Sequence, residues 1–280
     1  MHTINSAVLA AINANFRTLF LSTFRAQNTW YQELATVRDT DTLEEIYLYI
    51  STLPRMRKWL GERVAQNFRT ILSRLKSEDW ESTVEVERND ILDDRLNIYR
   101  PMLEDMGRQA ARLWDDLIVT AINNGHTALG FDGQYFFDVD HPSDPTSPLS
   151  GSQANYFTGM PLTIDNYALG RRYMQQWVGA DGRPLGIVPN ILLVSPENEV
   201  QARRIINADT YPISGFGNQL NVLKGSATVV TIGDLTGPAW YLLDTRNSIR
   251  PFIIQRRQTA KFVALDSPDH DSVFWRKKIE

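Results

Sequence analysis

The sequence predicts a mixed α+β protein. Two long segments space their apolar residues by three and four positions, which is typical of amphipathic helices. Several short segments are instead rich in β-branched and aromatic residues, as strands are. In the second half of the chain helical and strand segments alternate, and no internal repeat is present. With 280 residues, 42% of them apolar, the chain is long enough to bury a core.

The overall composition excludes several classes of function. The chain contains no cysteine, which removes disulfides, thiolate metal sites and cysteine nucleophiles. A net charge of -4 gives no basic excess that would attract nucleic acid over the whole surface. We also expect a soluble protein made in a cytoplasm, because no signal segment follows Met1 and no apolar run approaches the roughly 20 residues of a membrane span.

The first elements are a helical arm and two strands. Residues 6–27 have helical periodicity, with Ser6 placed to cap the helix. Residues 42–51 are predicted to form a strand that ends before Pro54. Residues 81–88 alternate, with Thr83 or Val84 and Val86 on one face and Glu81, Glu85 and Glu87 on the other, as a strand with one solvated face does.

Two neighbouring blocks carry opposite charge. Residues 55–76 contain seven basic residues against Glu62 alone, and residues 78–94 contain eight acidic residues against Arg88 alone. The blocks could be the two arms of one hairpin that neutralise each other. Alternatively, the basic block of one copy meets an acidic block of the next in a head-to-tail contact. Both interpretations can hold together.

The clearest helix covers residues 100–125. Pro101 suits its first turn, and Gly125 is predicted to end it in a left-handed conformation. About 24 residues at 1.5 Å each reach about 36 Å, a length suited to a spine. The apolar stripe is predicted to consist of Leu103, Met106, Ala110, Leu113, Leu117 and Ala121.

The second half begins with a polar loop at 142–159, the best candidate for a domain boundary. A helix (163–178), a turn (179–184) and a buried strand (190–194) follow, and another helix starts near Ser195 with Pro196 in its first turn. The remaining predicted strands are 227–232, 239–244, 250–255 and 262–265.

One polar cluster, in residues 131–145, has side chains suited to a metal centre. Asp138, Asp140 and His141 are the ligands that a metal-dependent hydrolase would use. A calcium loop starting at Asp132 fails, because its third and fifth positions are Gln134 and Phe136. The alternative is scaffold: a turn at 132–133, a strand at 135–139, and aspartates that accept backbone N–H bonds. We favour scaffold and assign no metal, cofactor or catalytic residue.

No recognisable nucleophile or phosphate-binding motif is present. The glycines and lysine of residues 215–226 have the wrong spacing for a phosphate-binding loop and are interpreted as a flexible loop. His270 is expected to lie in an exposed polar turn.

Three segments carry a family resemblance: 58–64 (KWLGERV), 80–111 (WESTVEVERNDILDDRLNIYRPMLEDMGRQAA) and 131–142 (FDGQYFFDVDHP). Together with 189–208 and 240–257, they resemble the major head subunit of Mu-like phages and prophages from about residue 40 onward. The resemblance implies the Hong Kong 97 phage-type capsid fold. Its parts would be an N-terminal helical arm (1–40), an extended loop (41–90), a peripheral domain (91–159) with a spine helix (101–124), an axial domain (160–235) and strands returning to the peripheral domain (236–280).

The implied function is structural, without catalysis: hexamers and pentamers that tile an icosahedral head around double-stranded DNA, in a virion assembled in a bacterial cytoplasm. Partners would be further copies, DNA held weakly and nonspecifically, and scaffold, portal or decoration proteins, with no membrane. The predicted contacts between subunits are Arg55, Arg57, Lys58, Arg63, Glu81, Glu85 and Glu87. An encapsulin-like compartment shell is the alternative, which neighbouring portal and terminase genes would exclude. The family continues past the final residues of this sequence, so we expect a shorter or truncated C-terminus.

Overall fold

The computed structural model describes residues 6–50, 70–93, 96–147, 150–213, 217–264 and 278–279. The helices are α1 (Ser6–Ala26), α2 (Tyr31–Leu34), α3 (Arg88–Leu92), α4 (Arg100–Asn123), α5 (Ile164–Gln176) and α6 (Glu199–Asn207). The strands are β1 (Ala35–Asp39), β2 (Glu44–Ile50), β3 (Thr70–Lys76), β4 (Val86–Glu87), β5 (His141–Pro142), β6 (Ser152–Gln153), β7 (Ile191–Val194), β8 (Thr210–Ile213), β9 (Gly217–Leu220), β10 (Thr228–Thr231), β11 (Trp240–Leu243), β12 (Phe252–Arg256) and β13 (Lys278–Ile279).

The chain divides into two compact units, each built from separate stretches. Unit 1 comprises Met1–Tyr31, Ser77–Leu117 and Arg256–Glu280, and unit 2 comprises Gln32–Lys76 and Ile118–Gln255. Helix α4 begins in unit 1 and ends in unit 2. The polar loop at 142–159 is therefore not a boundary between these units; it contains the small hairpin of β5 and β6.

Helix α1 confirms the helix predicted at 6–27 and forms part of the core of unit 1. Leu9 and Phe16 are buried there in one cluster with Tyr99 and Leu103. Next to this cluster α1 lies very close to α4. A Cβ atom added at Gly107 would be 2.7 Å from the backbone oxygen of Phe20, so only glycine fits without displacing α1.

By length and composition alone, α1 could also cross a membrane. Its segment Ala7–Ala26 is 20 residues long and has a mean hydropathy of 1.2. The expectation that no apolar run approaches the length of a membrane span was therefore wrong. Part of this apolar character serves the core, because Leu9, Phe16 and Phe20 are buried within unit 1. Phe20 also lies against Phe262, with ring centroids 5.7 Å apart.

The predicted acidic strand is shorter than expected. Only Val86–Glu87 is a strand, paired with Lys278–Ile279, whereas residues 81–85 form no regular element. The alternation of faces is nevertheless as predicted: Val84 and Val86 pack in the core of unit 1.

Helix α4 confirms the helix predicted at 100–125 but differs in two details. Its buried residues within the two units are Leu103, Gly107, Ala111, Asp115, Ile118, Val119 and Ile122, whereas of the predicted stripe only Leu103 is fully buried. Gly125 is not left-handed; it lies in a 3₁₀ turn, Asn124–His126. Glycine is required there for another reason, since a Cβ would be 2.4 Å from the Phe137 ring.

The centre of unit 2 is a three-stranded sheet in the order β10-β7-β11. Strand β7 is parallel to β10 and antiparallel to β11, and all four of its side chains are buried, as predicted for the apolar run at 190–194. Helices α5 and α6 bury Tyr167 and Ile205 in the cluster that contains β7. Arg171 donates hydrogen bonds to the carbonyls of Pro189 (2.8 Å) and Ser226 (3.0 Å), which connects α5 to the chain just before β7 and β10.

Several expectations about pairing were wrong. The basic segment 70–76 is β3 and pairs with β2 rather than with the acidic block. Residues 135–139 and 262–264 are described and form no strand, and the predicted flexible loop at 215–226 contains β9. His270 lies outside the described residues.

Candidate assembly surfaces and the His141 loop

The loop around His141 is held together by its own hydrogen bonds. His141 Nδ1 lies 2.6 Å from Asp132 Oδ2, and the other Asp132 oxygen accepts the Gln134 N–H. Asp138 accepts the N–H groups of Val139 (2.7 Å) and Tyr135 (3.3 Å). The carboxylates therefore act as acceptors for loop backbone, which is the scaffold interpretation.

Asp138, one of the three ligands of the hydrolase alternative, is therefore engaged by the loop backbone. The backbone N–H of Val139 holds the pKa of the Asp138 carboxyl below its ordinary value, because the hydrogen bond favours the charged form. Within the described part of the chain, no three His, Cys, Asp or Glu side chains are grouped to hold a metal ion. Among those same residues, His141 Nε2 is buried and has no hydrogen-bond partner.

Aromatic side chains attach this loop to the end of α4. The His126 ring lies 4.5 Å from Tyr156 and 5.3 Å from Phe137, measured between centroids. Phe137 also packs 5.4 Å from Tyr241 of β11. Because its ring packs on Gly125 and on Tyr241, Phe137 holds the loop against the end of α4 and against β11 within unit 2.

The ribbon formed by β2 and β3 has solvent-exposed apolar side chains. Ile46, Leu48 and Leu72 are 54%, 62% and 56% exposed, and Leu48 is directly opposite Leu72. Arg74 lies 4.0 Å from Glu44, so β2 partly neutralises the basic residues of β3. The predicted contact residues Arg55, Arg57, Lys58 and Arg63 follow β2 and lie outside the described residues.

The acidic contact residues lie on unit 1. Glu81, Glu85 and Glu87 are all exposed, next to Val84 and Val86 in the core. They form an acidic edge on a segment fixed by its apolar face. They belong to unit 1, whereas the ribbon belongs to unit 2.

A buried carboxylate that the sequence analysis missed organises unit 1. Asp115 is 3% exposed and accepts the backbone N–H groups of Trp30 (3.2 Å) and Tyr31 (2.8 Å), which fixes the start of α2. Burial raises the pKa of Asp115 above its ordinary value, and the two N–H groups oppose that rise. Its spacing on α4 could have indicated its burial, because Asp115 lies four residues after Ala111 and three before Ile118, on the buried face of the helix.

We expect Asp115→Ala to destabilise unit 1 by about 1–3 kcal/mol, because the buried N–H of Tyr31 and the part-buried N–H of Trp30 lose their acceptor. Asp115→Asn keeps an oxygen acceptor and should match or exceed the wild type at pH 7. The pKa of Asp115 is higher in the folded protein than in the unfolded chain. Wild-type stability therefore falls as the pH rises from the unfolded-state pKa to the folded-state pKa. Urea unfolding at pH 4 and 7 should show the wild type losing stability relative to Asp115→Asn at the higher pH; equal stability of Asp115→Ala and wild type would contradict the role.

Comparison with known proteins supports one family over most of the chain. The family model described as Mu-like prophage major head subunit gpT matches residues 9–160, 150–235 and 225–280. The Mu-like prophage FluMu major head subunit of Haemophilus influenzae is 35% identical over 112 residues, covering 40% of this chain and 36% of that protein. The major capsid protein of Escherichia phage Mu is 30% identical over 169 residues, covering 58% and 55%. The chain thus matches about a third to just over half of these relatives' lengths.

Solved structures show the fold. A procapsid chain of bacteriophage JBD30 is matched over its whole length and over 83% of this chain, with a TM-score of 0.65 and 22% identity. A JBD30 capsid chain decorated with minor capsid protein trimers gives a TM-score of 0.60 over 84% of this chain. The two-unit α+β architecture is therefore that of a phage capsid chain. Because the family model spans residues 9–280 almost without a break, the chain belongs to the Mu-like prophage major head subunit family.

Proposed function

We propose that this chain is a major capsid protein that associates with copies of itself into the shell of a phage head. The single observation that carries the proposal is the family match over residues 9–280, joined to the fold of a capsid chain. The role would be structural, and in the His141 loop Asp138 and Asp132 accept backbone N–H groups of the loop itself.

The proposal includes the Hong Kong 97 arrangement of parts. Helix α1 would be the arm, the β2–β3 ribbon the extended loop, and α4 the spine helix of the peripheral domain. The sheet with α5 and α6 would be the axial domain, and β12 and β13 the strands that return. The 24-residue length of α4 and the ribbon of two seven-residue strands support this assignment.

Contacts between subunits would combine apolar burial with charge. The exposed Ile46, Leu48 and Leu72 of the ribbon supply apolar area, which is the main source of association free energy. The basic residues Arg55, Arg57, Lys58 and Arg63 and the acidic residues Glu81, Glu85 and Glu87 would set which surfaces meet, because opposite charges contribute more to specificity than to affinity. A head-to-tail contact of this kind closes into rings, as hexamers and pentamers require.

The contents and site of the shell follow from the same proposal. The shell would enclose double-stranded DNA and form in the cytoplasm of the bacterial host. A net charge of -4 suits a wall that binds DNA weakly and nonspecifically. Scaffold, portal and decoration proteins would be further partners, as the decorated JBD30 capsid has its minor capsid protein.

Electron microscopy of the purified, expressed chain tests the proposal. We expect closed shells, tubes or rings of five or six subunits, with subunits and particles in equilibrium as concentration is varied. Material that stays monomeric at all concentrations and salt conditions, alone and with cognate phage head proteins, would overturn it.

A further inference from the structure

A cleft opens beside the small hairpin of β5 and β6 in unit 2. It has a volume of about 430 Å³, and we call it the hairpin cleft. The exposed Asp140 lines it, and Pro142 and Pro145 add apolar wall. Most of the remaining lining consists of residues with hydroxyl groups: Thr146, Ser147, Ser150 and Ser152. Sites for small ligands are concave and combine apolar wall with a few polar groups, as this cleft does.

The hairpin cleft is preformed by hydrogen bonds. The Ser147 N–H donates to the Asp144 carbonyl at 2.9 Å, and the buried carboxylate of Asp144 accepts the Thr146 N–H at 3.0 Å. The Gln153 side chain accepts the Val178 N–H at 2.7 Å and donates to the Val178 carbonyl at 2.8 Å, which fixes the hairpin to the chain after α5. A wall held in this way loses little conformational freedom when a ligand binds.

The charge around the hairpin cleft is negative. From Ile118 to Gly170 the chain contains five aspartates and no lysine, arginine or glutamate. The side chains of Asp138 and Asp140 lie within hydrogen-bonding reach of each other. Among the residues that the structure describes, no lysine or arginine lines the cleft. Because two neighbouring carboxylates repel each other when both are ionised, a cation bound beside them is favoured.

The lining groups match a primary ammonium group on an alkyl chain. An ammonium carries a full positive charge and three N–H donors, which a carboxylate and hydroxyl oxygens together can accept. The Thr146 hydroxyl donates to Asp144, so its oxygen still has lone pairs to accept with. The methylene groups next to the ammonium can pack on Pro142 and Pro145, as alkyl stems do on apolar surface.

We propose that the hairpin cleft binds a primary alkylammonium group, with Asp140 as its counterion and the hydroxyl groups as acceptors. A metal ion fits less well, because no three acidic or imidazole side chains are grouped among the described residues. The ammonium can belong to a free linear polyamine or to a lysine side chain of a bound protein, and the recognition is the same. The inference goes beyond the proposed capsid function and does not depend on it, because a single subunit supplies the cleft.

Ligand-observed NMR with 1,4-diaminobutane tests the site on dissociated subunits at low salt. We expect a dissociation constant of about 1 mM, raised at least about tenfold in Asp140→Asn. The matched control Glu197→Gln also removes an exposed carboxylate from unit 2 and should bind like the wild type. A control ligand, 1,4-bis(trimethylammonio)butane, keeps both charges but has no N–H donor, and it should bind at least about tenfold more weakly.

A second variant keeps the charge of the cleft and removes acceptors. Ser147→Ala combined with Ser150→Ala should weaken the binding of 1,4-diaminobutane about threefold or more, because two hydroxyl oxygens are lost. Circular dichroism checks that each variant folds, and this variant decides if Asp140→Asn does not fold. Absence of binding to wild-type subunits overturns the inference, as does equal binding of the two ligands or unchanged binding in the folded variants.

A zero-length carbodiimide cross-linker, applied to assembled particles, distinguishes the two sources of the ammonium. If a lysine of a bound protein fills the cleft, mass spectrometry should find Asp140 joined to that lysine, and the particles should bind less 1,4-diaminobutane than the subunits. If the natural ligand is a free polyamine, particles and subunits should bind equally and no such cross-link should form. Both results support the site. A chain that forms no particles contradicts the proposed capsid function, while the measurement on subunits still decides the inference.

Discussion

Gly107→Val is expected to displace α1 from α4 and destabilise unit 1 by about 3 kcal/mol, at the upper end of the range for overpacked cores. The Cβ atom alone would lie 2.7 Å from the Phe20 backbone oxygen and 3.1 Å from Thr23 Cβ. A backbone oxygen cannot rotate away as a side chain can, so the helix itself must move. Hydrogen exchange measured by mass spectrometry should show faster exchange in α1 and in 100–117.

Gly233→Val is the matched control for this substitution. Gly233 has negative φ, and a Cβ atom added to it would have no other atom within 4 Å, so the added methyl groups meet open space. Its exchange pattern and thermal midpoint should match those of the wild type. Unchanged protection of α1 in Gly107→Val would mean that the close approach of the two helices does not contribute to stability.

Replacing Arg55, Arg57 and Lys58 together with glutamate is expected to prevent shell formation while leaving a folded subunit. Each exposed ion pair contributes only about 0 to 1 kcal/mol. Three reversed charges replace attraction by repulsion, which amounts to about 2–3 kcal/mol for each contact and lowers its association constant more than tenfold. Repetition of the contact in every subunit makes the loss of shells nearly complete, as counted by electron microscopy.

The control variant replaces three exposed arginines outside the basic block with glutamate, Arg17, Arg183 and Arg204. Its net charge changes by the same amount as that of the first variant. We expect this control to assemble. Raising salt from about 0.1 to 1 M shortens the screening length from about 10 to 3 Å, so wild-type assembly should weaken as well. Intact shells from the first variant would show that the basic block is not needed.

Local patterns in the sequence predicted the main elements, because periodicity and turn chemistry report local structure. The helices α1, α4 and α5 and the buried strand β7 were found in this way. Pairing partners were not predictable, because they depend on distant segments. Strand β3 pairs with β2 across the nineteen-residue segment 51–69, and β4 pairs with β13 from the end of the chain.

The buried face of α4 was misplaced for a physical reason. Gly107 and Asp115 lie on that face, one for a backbone contact and the other to accept N–H bonds, and neither is apolar. A pattern of hydrophobic residues therefore favours a face rotated by about one position. In the His141 loop, hydrogen bonds to aspartates stand in place of the strand that alternation at 135–139 predicted.

The ribbon of β2 and β3 has a consequence for how sharply the proposed head would form. A two-stranded ribbon is only marginally stable in water by itself, and Ile46, Leu48 and Leu72 have no cover within the described part of their own unit. In the proposed shell, order in the ribbon and binding to a neighbour would therefore stabilise each other. Particle formation would then depend steeply on the concentration of free subunits.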